Sequence, residues 1–334
     1  MKSPATILLI RTGALGDIIT MIPLFEGIKE AFPKSHITLL THKPFEEVVA
    51  FIPGLSRILS FSGSRPRDFF QILLPLRKER FDLVIDLQGN FKTNLLTLWF
   101  GRNKRAGFTN NPARNFLHIA EERNVSHFTD SHKVLLKRLG GDSIKLSPAR
   151  IYESPEAEKI FSSISARGQF SGKPRILLHP FSSKRWKSKQ WIPKRFADLA
   201  KKLDSSGMEA IFIGIDPNGY FHAIEPYLSG KEITLVNRLT FTELIVLMYR
   251  SAGIVTTDSG PLHAAVACGL PAVAIFGPTD PTCHCPTGVE VLFKPCPVGP
   301  CYRPHCFHPI CMEKITVEDV LTALNRLLTE RNRP

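Results

Sequence analysis

Three short segments of this 334-residue chain combine residue types that hold anions or move protons. The first is the run RTGALGD at residues 11–17, which follows a stretch of apolar residues. Gly13 and Gly16 allow close approach of the backbone, and the first N–H groups of a following helix can hold an anion. The spacing matches neither dinucleotide nor P-loop fingerprints, so the glycines alone do not identify a ligand. Asp17 is interpreted either as the N-cap of that helix or as a general base, and both roles can hold together.

The second segment is the run SSKRWKSKQW at residues 182–191. The hydroxyls of Ser182 and Ser183 and four Lys or Arg side chains lie between a predicted strand and a predicted helix. This composition suits a phosphate or diphosphate. The alternative is an ordinary solvated basic loop. Trp186 and Trp191 either complete the core or pack beside a ligand.

The third segment is the run TDSGPLH at residues 257–263, which also follows a predicted strand. The carboxylate of Asp258 could accept sugar hydroxyls, and the N–H groups of Ser259 and Gly260 could donate to a phosphate. His263 lies one turn into the helix. The alternative is a capped helix start with a core histidine.

The elements that would position these segments alternate between strand and helix. Apolar, β-branched runs predict strands at 6–11, 36–40, near 58, 82–87, 175–179, 210–213, 233–236, 253–256 and 272–276. Helices are predicted at 17–32, 44–51, up to 80, after 89, at 130–139, 193–207, 220–228, 240–250 and 260–268, and after 316. Such alternation predicts parallel sheets covered on both faces.

A segment rich in Gly and Pro at residues 140–174 interrupts the alternation. We therefore predict an α/β protein of two doubly wound domains, residues 1–165 and 166–334, that face each other across a cleft. Ligands of such sheets bind beyond the carboxyl ends of the strands.

The net charge of +13 is unevenly distributed. Residues 1–150 hold 22 Lys and Arg against 13 Asp and Glu, whereas the remaining residues hold 21 against 17. A basic surface attracts nucleic acid, anionic lipid or an acidic substrate, although the charge could also serve solubility alone. We find no apolar run of membrane-spanning length and no secretory signal, and expect a cytoplasmic protein that is soluble or attached to a membrane only at its surface.

All seven cysteines follow residue 267, and an odd number without an export signal argues against a disulfide framework. Four of them recur every five residues with two histidines between them. These residues are Cys296, Cys301, Cys306, Cys311, His305 and His308. Such a set could hold zinc or iron, but its spacing is not that of a standard zinc knuckle, and we predict no metal site.

Taken together, the three segments resemble the bacterial heptosyltransferases of glycosyltransferase family 9. The resemblance rests on TGALGD at 12–17, KSKQW at 187–191 and, above all, TTDSGPLHAAVACGLPAVAIFGPTDP at 256–281. It implies a GT-B fold of two Rossmann-like domains, with the acceptor on the N-terminal domain and the nucleotide-sugar on the C-terminal one. It further implies inverting, metal-independent transfer of heptose from ADP-heptose to the inner core of lipopolysaccharide, with no cofactor.

The same resemblance implies a role for each matching residue. Asp17 would be the general base, with Gly16 beside it on the acceptor side. The donor-binding residues would be Ser182, Ser183 and Lys189 at the diphosphate, Asp258, Ser259, Gly260 and His263 at the sugar and phosphate, and Leu239 and Thr240 near the adenine. The family often has a Glu for the ribose where this chain has the loop 214–218, in which Asp216 could substitute.

Two other classes of function remain open at this stage. One is a GT-B glycosyltransferase or epimerase that uses another nucleotide-sugar. The other is a basic, non-catalytic nucleic-acid-binding protein, against which the chain has no recognisable nucleic-acid module. The partners that the family resemblance implies are ADP-heptose, the lipopolysaccharide inner core and the inner face of the inner membrane, without nucleic acid. The sequence does not predict the oligomeric state.

Overall fold

A computed structural model describes residues 3–63, 78–110, 112–122 and 128–331. The chain divides into two compact units, Met1–Ala149 and Arg150–Pro334. The helix predicted to end near Arg80 lies largely outside the described residues. The domain boundary predicted at 165/166 falls within a helix, Ala157–Gly168, which belongs entirely to the second unit.

The first unit is a parallel sheet with strand order β3-β2-β1-β4-β5-β6 and helices in the connections. Its central strands are apolar and almost wholly buried, as expected when both faces of a parallel sheet are covered. The strands are β1 (Thr6–Ile10), β2 (His36–His42), β3 (Arg57–Phe61), β4 (Phe81–Asp86), β5 (Gly101–Phe108) and β6 (Ile119–Glu121). The helices are α1 (Leu15–Thr20), α2 (Ile22–Ala31), α3 (Glu46–Val49), α4 (Phe91–Phe100) and α5 (Phe128–Leu139).

The second unit repeats this topology in the strand order β12-β11-β10-β7-β8-β9. Its core contains Phe181, Trp191 and Phe212, and the indole N–H of Trp191 donates to the Ile315 carbonyl. The strands are β7 (Arg175–His179), β8 (Glu209–Phe212), β9 (Ile233–Thr234), β10 (Gly253–Thr257), β11 (Ala272–Phe276) and β12 (Glu290–Phe293). The helices are α6 (Ala157–Gly168), α7 (Pro193–Ser205), α8 (Phe241–Tyr249), α9 (Gly260–Ala267), α10 (Pro281–His284), α11 (Ile310–Glu313) and α12 (Val317–Arg331).

Within each unit the order of strands is that of a Rossmann fold, with a reversal between two central strands. The reversal lies between β1 and β4 in the first unit and between β7 and β10 in the second. Ligands bind beside the carboxyl ends of the strands at such reversals. Each of the three segments singled out above follows one of these four strands: β1, β7 and β10. The fold predicted from the sequence is confirmed for each unit.

Several predicted elements differ from the structure, mostly because of proline. The helix predicted at 17–32 is divided into α1 and α2, with Pro23 in the first turn of α2. Short 3₁₀ turns at Tyr220–Ala223 and Glu225–Tyr227 replace the helix predicted at 220–228, because Pro226 interrupts the segment. Among the described helices, none is long and apolar enough to cross a membrane.

Candidate active site

Asp17 lies just beyond the carboxyl end of β1, in the first turn of α1. The helix begins at Leu15 with Ala14 as the N-cap, so the interpretation of Asp17 as the N-cap is wrong. The carboxylate instead accepts the Ala14 N–H from the third helical position, at 3.2 Å from Oδ2. Its side chain remains 41% exposed, so it keeps access to solvent and to a substrate, and the buried Gly16 precedes it.

A buried guanidinium orients this carboxylate. Arg11 is fully buried at the end of β1, with Nη2 2.6 Å from Asp17 Oδ2. Its Nη1 donates to the Leu87 carbonyl at 2.7 Å, and its backbone N–H donates to the Leu40 carbonyl. The Leu87 carbonyl therefore fixes the guanidinium, which holds Asp17 in one direction. Sequence reasoning missed Arg11, although a charged residue that ends an apolar strand was a usable signal.

The loop after β4 is joined to the same site. Gln88 Oε1 accepts both the N–H and the hydroxyl of Thr12, at 3.1 and 2.9 Å. Asp86, fully buried at the end of β4, accepts the N–H groups of Gln88 and Gly89 at 2.9 and 3.1 Å. Desolvation raises the pKa of Asp86 to about 6, against the opposing effect of these hydrogen bonds. The loops after β1 and β4 thus form one hydrogen-bonded edge around Asp17.

In the second unit, two predicted donor-site residues that are far apart in sequence form an ion pair. Lys189 Nζ lies 2.5 Å from Asp258 Oδ2, and the side chains are only 13% and 9% exposed. The hydroxyl of Thr279, which follows β11, donates to the same Asp258 oxygen at 2.7 Å. Lys189 Nζ also lies 4.7 Å from the centre of the Trp186 ring. An ammonium has three donors, so the pairing with Asp258 leaves two for an anion.

The basic loop that carries Lys189 is held at both ends by hydrogen bonds. Ser182 is buried, and its hydroxyl donates to the Trp186 carbonyl at 2.7 Å. The Ser183 carbonyl accepts the Trp186 N–H at 2.8 Å, while its side chain is exposed. At the other end, the Ser188 hydroxyl donates to the Arg303 carbonyl at 2.6 Å. The backbone of this loop is therefore fixed, while the side chains of Lys184, Arg185 and Lys187 remain exposed to solvent.

A buried histidine supports the start of α9. Ser259 is the N-cap, Gly260 is the first helical residue, and the Ser259 hydroxyl lies 3.2 Å from His179 Nδ1. Desolvation lowers the pKa of the wholly buried His179 to about 3, so the imidazole is neutral at physiological pH. His263 follows in the first turn of α9 and is half-buried. Because the ring of His179 is neutral, it adds no buried positive charge beside the N-terminus of α9, where the helix dipole is itself positive.

Comparison with known proteins identifies the family. Residues 70–293 match the family model described as glycosyltransferase family 9 (heptosyltransferase), which is more than half of the chain.

The chain belongs to glycosyltransferase family 9.

This family 9 enzyme is 27% identical over 295 residues to lipopolysaccharide heptosyltransferase 1 of Campylobacter coli, which covers 82% of this chain and 84% of that relative. A solved structure of Escherichia coli ADP-heptose lipopolysaccharide heptosyltransferase II superposes with a TM-score of 0.82 at 21% identity, covering 98% and 100% of the two chains. A second E. coli heptosyltransferase, solved with ADP-2-deoxy-2-fluoro heptose, gives a TM-score of 0.72 at 15% identity, covering 96% and 99%. The predicted family, the enzyme class and the GT-B fold class are confirmed.

The other predicted donor residues of this family 9 enzyme form a helix cap. Thr240 is the N-cap of α8: its hydroxyl accepts the Glu243 N–H at 3.2 Å, and Glu243 Oε2 accepts the Thr240 N–H at 2.9 Å. Leu239 precedes the cap. This capping box determines where α8 begins. A contact of Leu239 and Thr240 with adenine stays a prediction.

Asp216 has a structural role in the loop where the family often has a ribose-binding Glu. Its two carboxylate oxygens accept the backbone N–H groups of Asn218, Tyr220 and Phe221 at 2.8 to 3.1 Å. Because three backbone donors already occupy this carboxylate, the structure favours a turn-forming function for Asp216 over one in nucleotide selection.

The cysteine-rich segment contains free thiols in this family 9 enzyme, with Cys311 buried and Cys306 exposed. Over the part of the chain that the structure describes, no group of three or more His, Cys, Asp or Glu side chains is arranged to hold a metal. The backbone of this segment has a different use, because the carbonyls of Arg303 and Pro304 accept the hydroxyl and the N–H of Ser188. The segment therefore stabilises the loop that carries Lys189.

Proposed function

We propose that this enzyme transfers heptose from ADP-heptose to the inner core of lipopolysaccharide, with inversion at the anomeric carbon and without a metal. The observation that carries the proposal is the Lys189–Asp258–Thr279 cluster beside the start of α9, at the strand reversal of the second unit. Cationic and N–H groups at that position suit a nucleoside diphosphate. The related heptosyltransferases suggest the sugar and the acceptor class.

On the acceptor side, Asp17 is proposed as the general base. As the acceptor oxygen attacks the anomeric carbon from the face opposite the diphosphate, the Asp17 carboxylate takes the hydroxyl proton. The bond between the anomeric carbon and the diphosphate oxygen breaks, and its electron pair leaves with ADP. Arg11 orients the carboxylate throughout, because the Leu87 carbonyl holds its guanidinium.

On the donor side, the second unit stabilises the charge that develops on the departing diphosphate. Lys189 has two donors beyond its contact with Asp258, and the N-terminus of α9 at Ser259 and Gly260 adds a partial positive charge. Ser182, Ser183 and His263 are proposed to line the same diphosphate and sugar site, with Leu239 and Thr240 near the adenine. These groups supply the electrostatic stabilisation that a divalent cation would otherwise provide.

The proposed assignment of roles gives the acceptor to the first unit and the nucleotide-sugar to the second. The excess of Lys and Arg in residues 1–150 supports this assignment, because the inner core of lipopolysaccharide is anionic. It also supports a place at the inner, cytoplasmic face of the inner membrane.

A transfer assay tests the proposal directly. Purified enzyme is incubated with ADP-heptose, or with other ADP- and UDP-sugars, and heptose-deficient lipopolysaccharide, and the product is identified by mass and by the anomeric coupling in NMR. We expect a gain of one heptose from ADP-heptose alone, with inverted configuration and unchanged turnover in EDTA. Transfer from another nucleotide-sugar, conversion of the donor without acceptor, or a requirement for Mg²⁺ would each overturn the corresponding part of the proposal.

A further inference from the structure

Helix α4 buries Leu96 and Phe100 in the core but directs its four other large apolar side chains toward solvent. Phe91, Leu95, Leu98 and Trp99 are 53%, 47%, 39% and 48% exposed. The uncharged polar side chains of the same helix are buried. They are Thr93, Asn94 and Thr97, none of which is more than 1% exposed. A surface helix of a globular protein normally has the opposite arrangement.

Hydrogen bonds fix this orientation. The Asn94 amide donates to Asp86 Oδ2 at 2.5 Å and to the Phe108 carbonyl at 3.1 Å. The Thr97 hydroxyl donates to the Asn94 carbonyl at 2.6 Å, and Asn90 caps the helix at the Thr93 N–H. Rotation of the helix to hide its apolar side chains would break the two bonds of the Asn94 amide and leave the buried Asp86 carboxylate and Phe108 carbonyl without that donor, whereas the Thr97 and Asn90 bonds lie within the helix and its cap. The exposed face is therefore built into the fold.

The exposed side chains form one stripe, which we name the α4 stripe: Phe91, Leu95, Leu98 and Trp99. Their spacing places them within an arc of about 100° along roughly 12 Å of the helix axis. The adjoining charge has one sign, since residues 87–120 contain five Lys and Arg and no Asp or Glu. Lys92 and Arg102 are exposed at the two ends of the helix, while Arg114 is 3.4 Å from Glu122.

We propose that the α4 stripe inserts into the headgroup region of an anionic lipid leaflet. Trp and Phe beside Leu suit the boundary between headgroups and acyl chains, and the flanking Lys and Arg suit anionic lipids. A second copy of the chain is a weaker candidate, because four side chains on a ten-residue helix fall short of the roughly 800 Å² per partner typical of stable interfaces, and like charges would face each other.

The place of the stripe fits this occupant. Helix α4 follows Asp86 after a four-residue loop, and that loop carries Gln88, which accepts two hydrogen bonds from Thr12 of the Asp17 loop. Insertion of the α4 stripe would hold this edge of the first unit near the lipid surface. The benefit of that placement rests on the proposed function, in which Asp17 meets a lipid-linked acceptor. Lipid binding by the α4 stripe does not depend on the proposed function.

Vesicle cosedimentation without donor or acceptor tests the inference independently of transfer. Wild-type protein and the variant Leu95→Glu/Trp99→Glu are compared on vesicles of phosphatidylcholine with about 30% phosphatidylglycerol and on pure phosphatidylcholine. Val134→Glu is the matched control, because Val134 on α5 is 46% exposed. We expect the double variant to lose at least about tenfold in partitioning onto the anionic vesicles, the control to stay within about twofold, and thermal melts of all three to coincide.

Trp99 gives a second readout that a folding defect cannot mimic. Brominated lipid should quench Trp99, whereas the variant Trp99→Phe should still bind and lose most of the quenching, because the other two tryptophans lie in the second unit, Trp191 buried in its core and Trp186 partly buried. Failure of the wild type to bind anionic vesicles, equal binding by the double variant, or a wild-type dimer that the double variant abolishes without any vesicle binding would each overturn the proposal. A negative transfer assay with these vesicle results intact would count against the proposed function alone.

Discussion

The contact between Arg11 and Asp17 determines the orientation of the Asp17 carboxylate. Asp17 is substantially exposed, yet a fully buried guanidinium lies 2.6 Å from its Oδ2. Arg is suited to this position because its planar, permanently charged fork can bind the Leu87 carbonyl and the carboxylate together. A general base must lie within hydrogen-bond reach of the proton that it abstracts, so orientation matters as much as protonation state.

Replacement of Asp17 by Asn removes the negative charge and keeps the size of the side chain. We expect Asp17→Asn to lower kcat by about 10²- to 10⁴-fold, the usual range for a lost general base, because the amide keeps the shape and cannot take the proton. The affinity for ADP, measured by calorimetry, should be nearly unchanged, since the nucleotide is assigned to the other unit. Turnover close to wild type would show that Asp17 serves only to stabilise the start of the helix, through the hydrogen bond that it accepts from the Ala14 N–H.

Lys189 is expected to act on the donor and not on the acceptor. We expect Lys189→Met to weaken ADP binding by about 1.5–3 kcal/mol, the usual value of a hydrogen bond to a charged group, and to lower kcat as well. Lys187→Met is the matched control, because Lys187 lies in the same turn with an exposed side chain. Equal losses in both variants would show that the loop contributes only general positive charge.

The buried His179 makes the stability of the second unit depend on pH. The pKa of His179 is about 3 in the folded chain and about 6.5 when the chain is unfolded, so only the unfolded chain binds this proton between those values. Stability should therefore fall as the pH drops from about 6.5 toward 3, by up to about 1.4 kcal/mol per pH unit. Urea unfolding followed by the fluorescence of Trp186 and Trp191 measures this slope. His179→Gln should flatten it, and an unchanged slope in that variant would assign the effect to another group.

At the scale of elements, close packing at the carboxyl ends of the strands constrains the loops. Gly214, which follows β8 after one residue, has φ of +112°, and an added Cβ would lie 2.5 Å from His179 Cδ2. Gly207 also has positive φ, but an added Cβ there would have no neighbouring atom within 4 Å. Alanine at either position would be strained by the positive φ, but only alanine at position 214 would also clash with a neighbouring side chain.

We expect Gly214→Ala to destabilise the second unit by about 1–3 kcal/mol more than Gly207→Ala does, because overpacking adds to the cost of positive φ that both variants share. Equilibrium unfolding in urea gives both free energies. If the two variants lose the same stability, the contact between residue 214 and His179 is easily relieved and does not constrain the loop.

The sequence predicts the apolar strands well, among them the edge strands β3 and β9, but it does not predict β5. Strand β1 is a continuous run of mostly buried apolar residues, whereas β5 has the sequence GRNKRAGF, whose pairing with β4 depends on tertiary context. Strands β6 and β12 are likewise not predicted. The candidate residues Lys189 and Asp258 can be found from their loops, but their ion pair cannot, because it depends on which strands are neighbours. Arg11 is recognisable from the sequence only as a charged residue after an apolar strand, because its bonds to the Leu87 carbonyl and to Asp17 depend on the folded structure.

For the whole molecule, the distribution of charge should distinguish the two substrates. The excess of basic residues lies in residues 1–150, and much of it is exposed, so its attraction for an anionic acceptor is screened over about 8 Å at physiological salt. Lys189 is only 13% exposed and is screened much less. We expect the KM for the lipopolysaccharide acceptor to rise steeply between about 50 and about 300 mM NaCl, while the Kd for ADP changes by less than about threefold. Steady-state kinetics and calorimetry in the same salt series measure the two constants. Equal salt dependence of both constants, or an acceptor KM that does not change with salt, would show that the uneven charge distribution serves solubility and not acceptor binding.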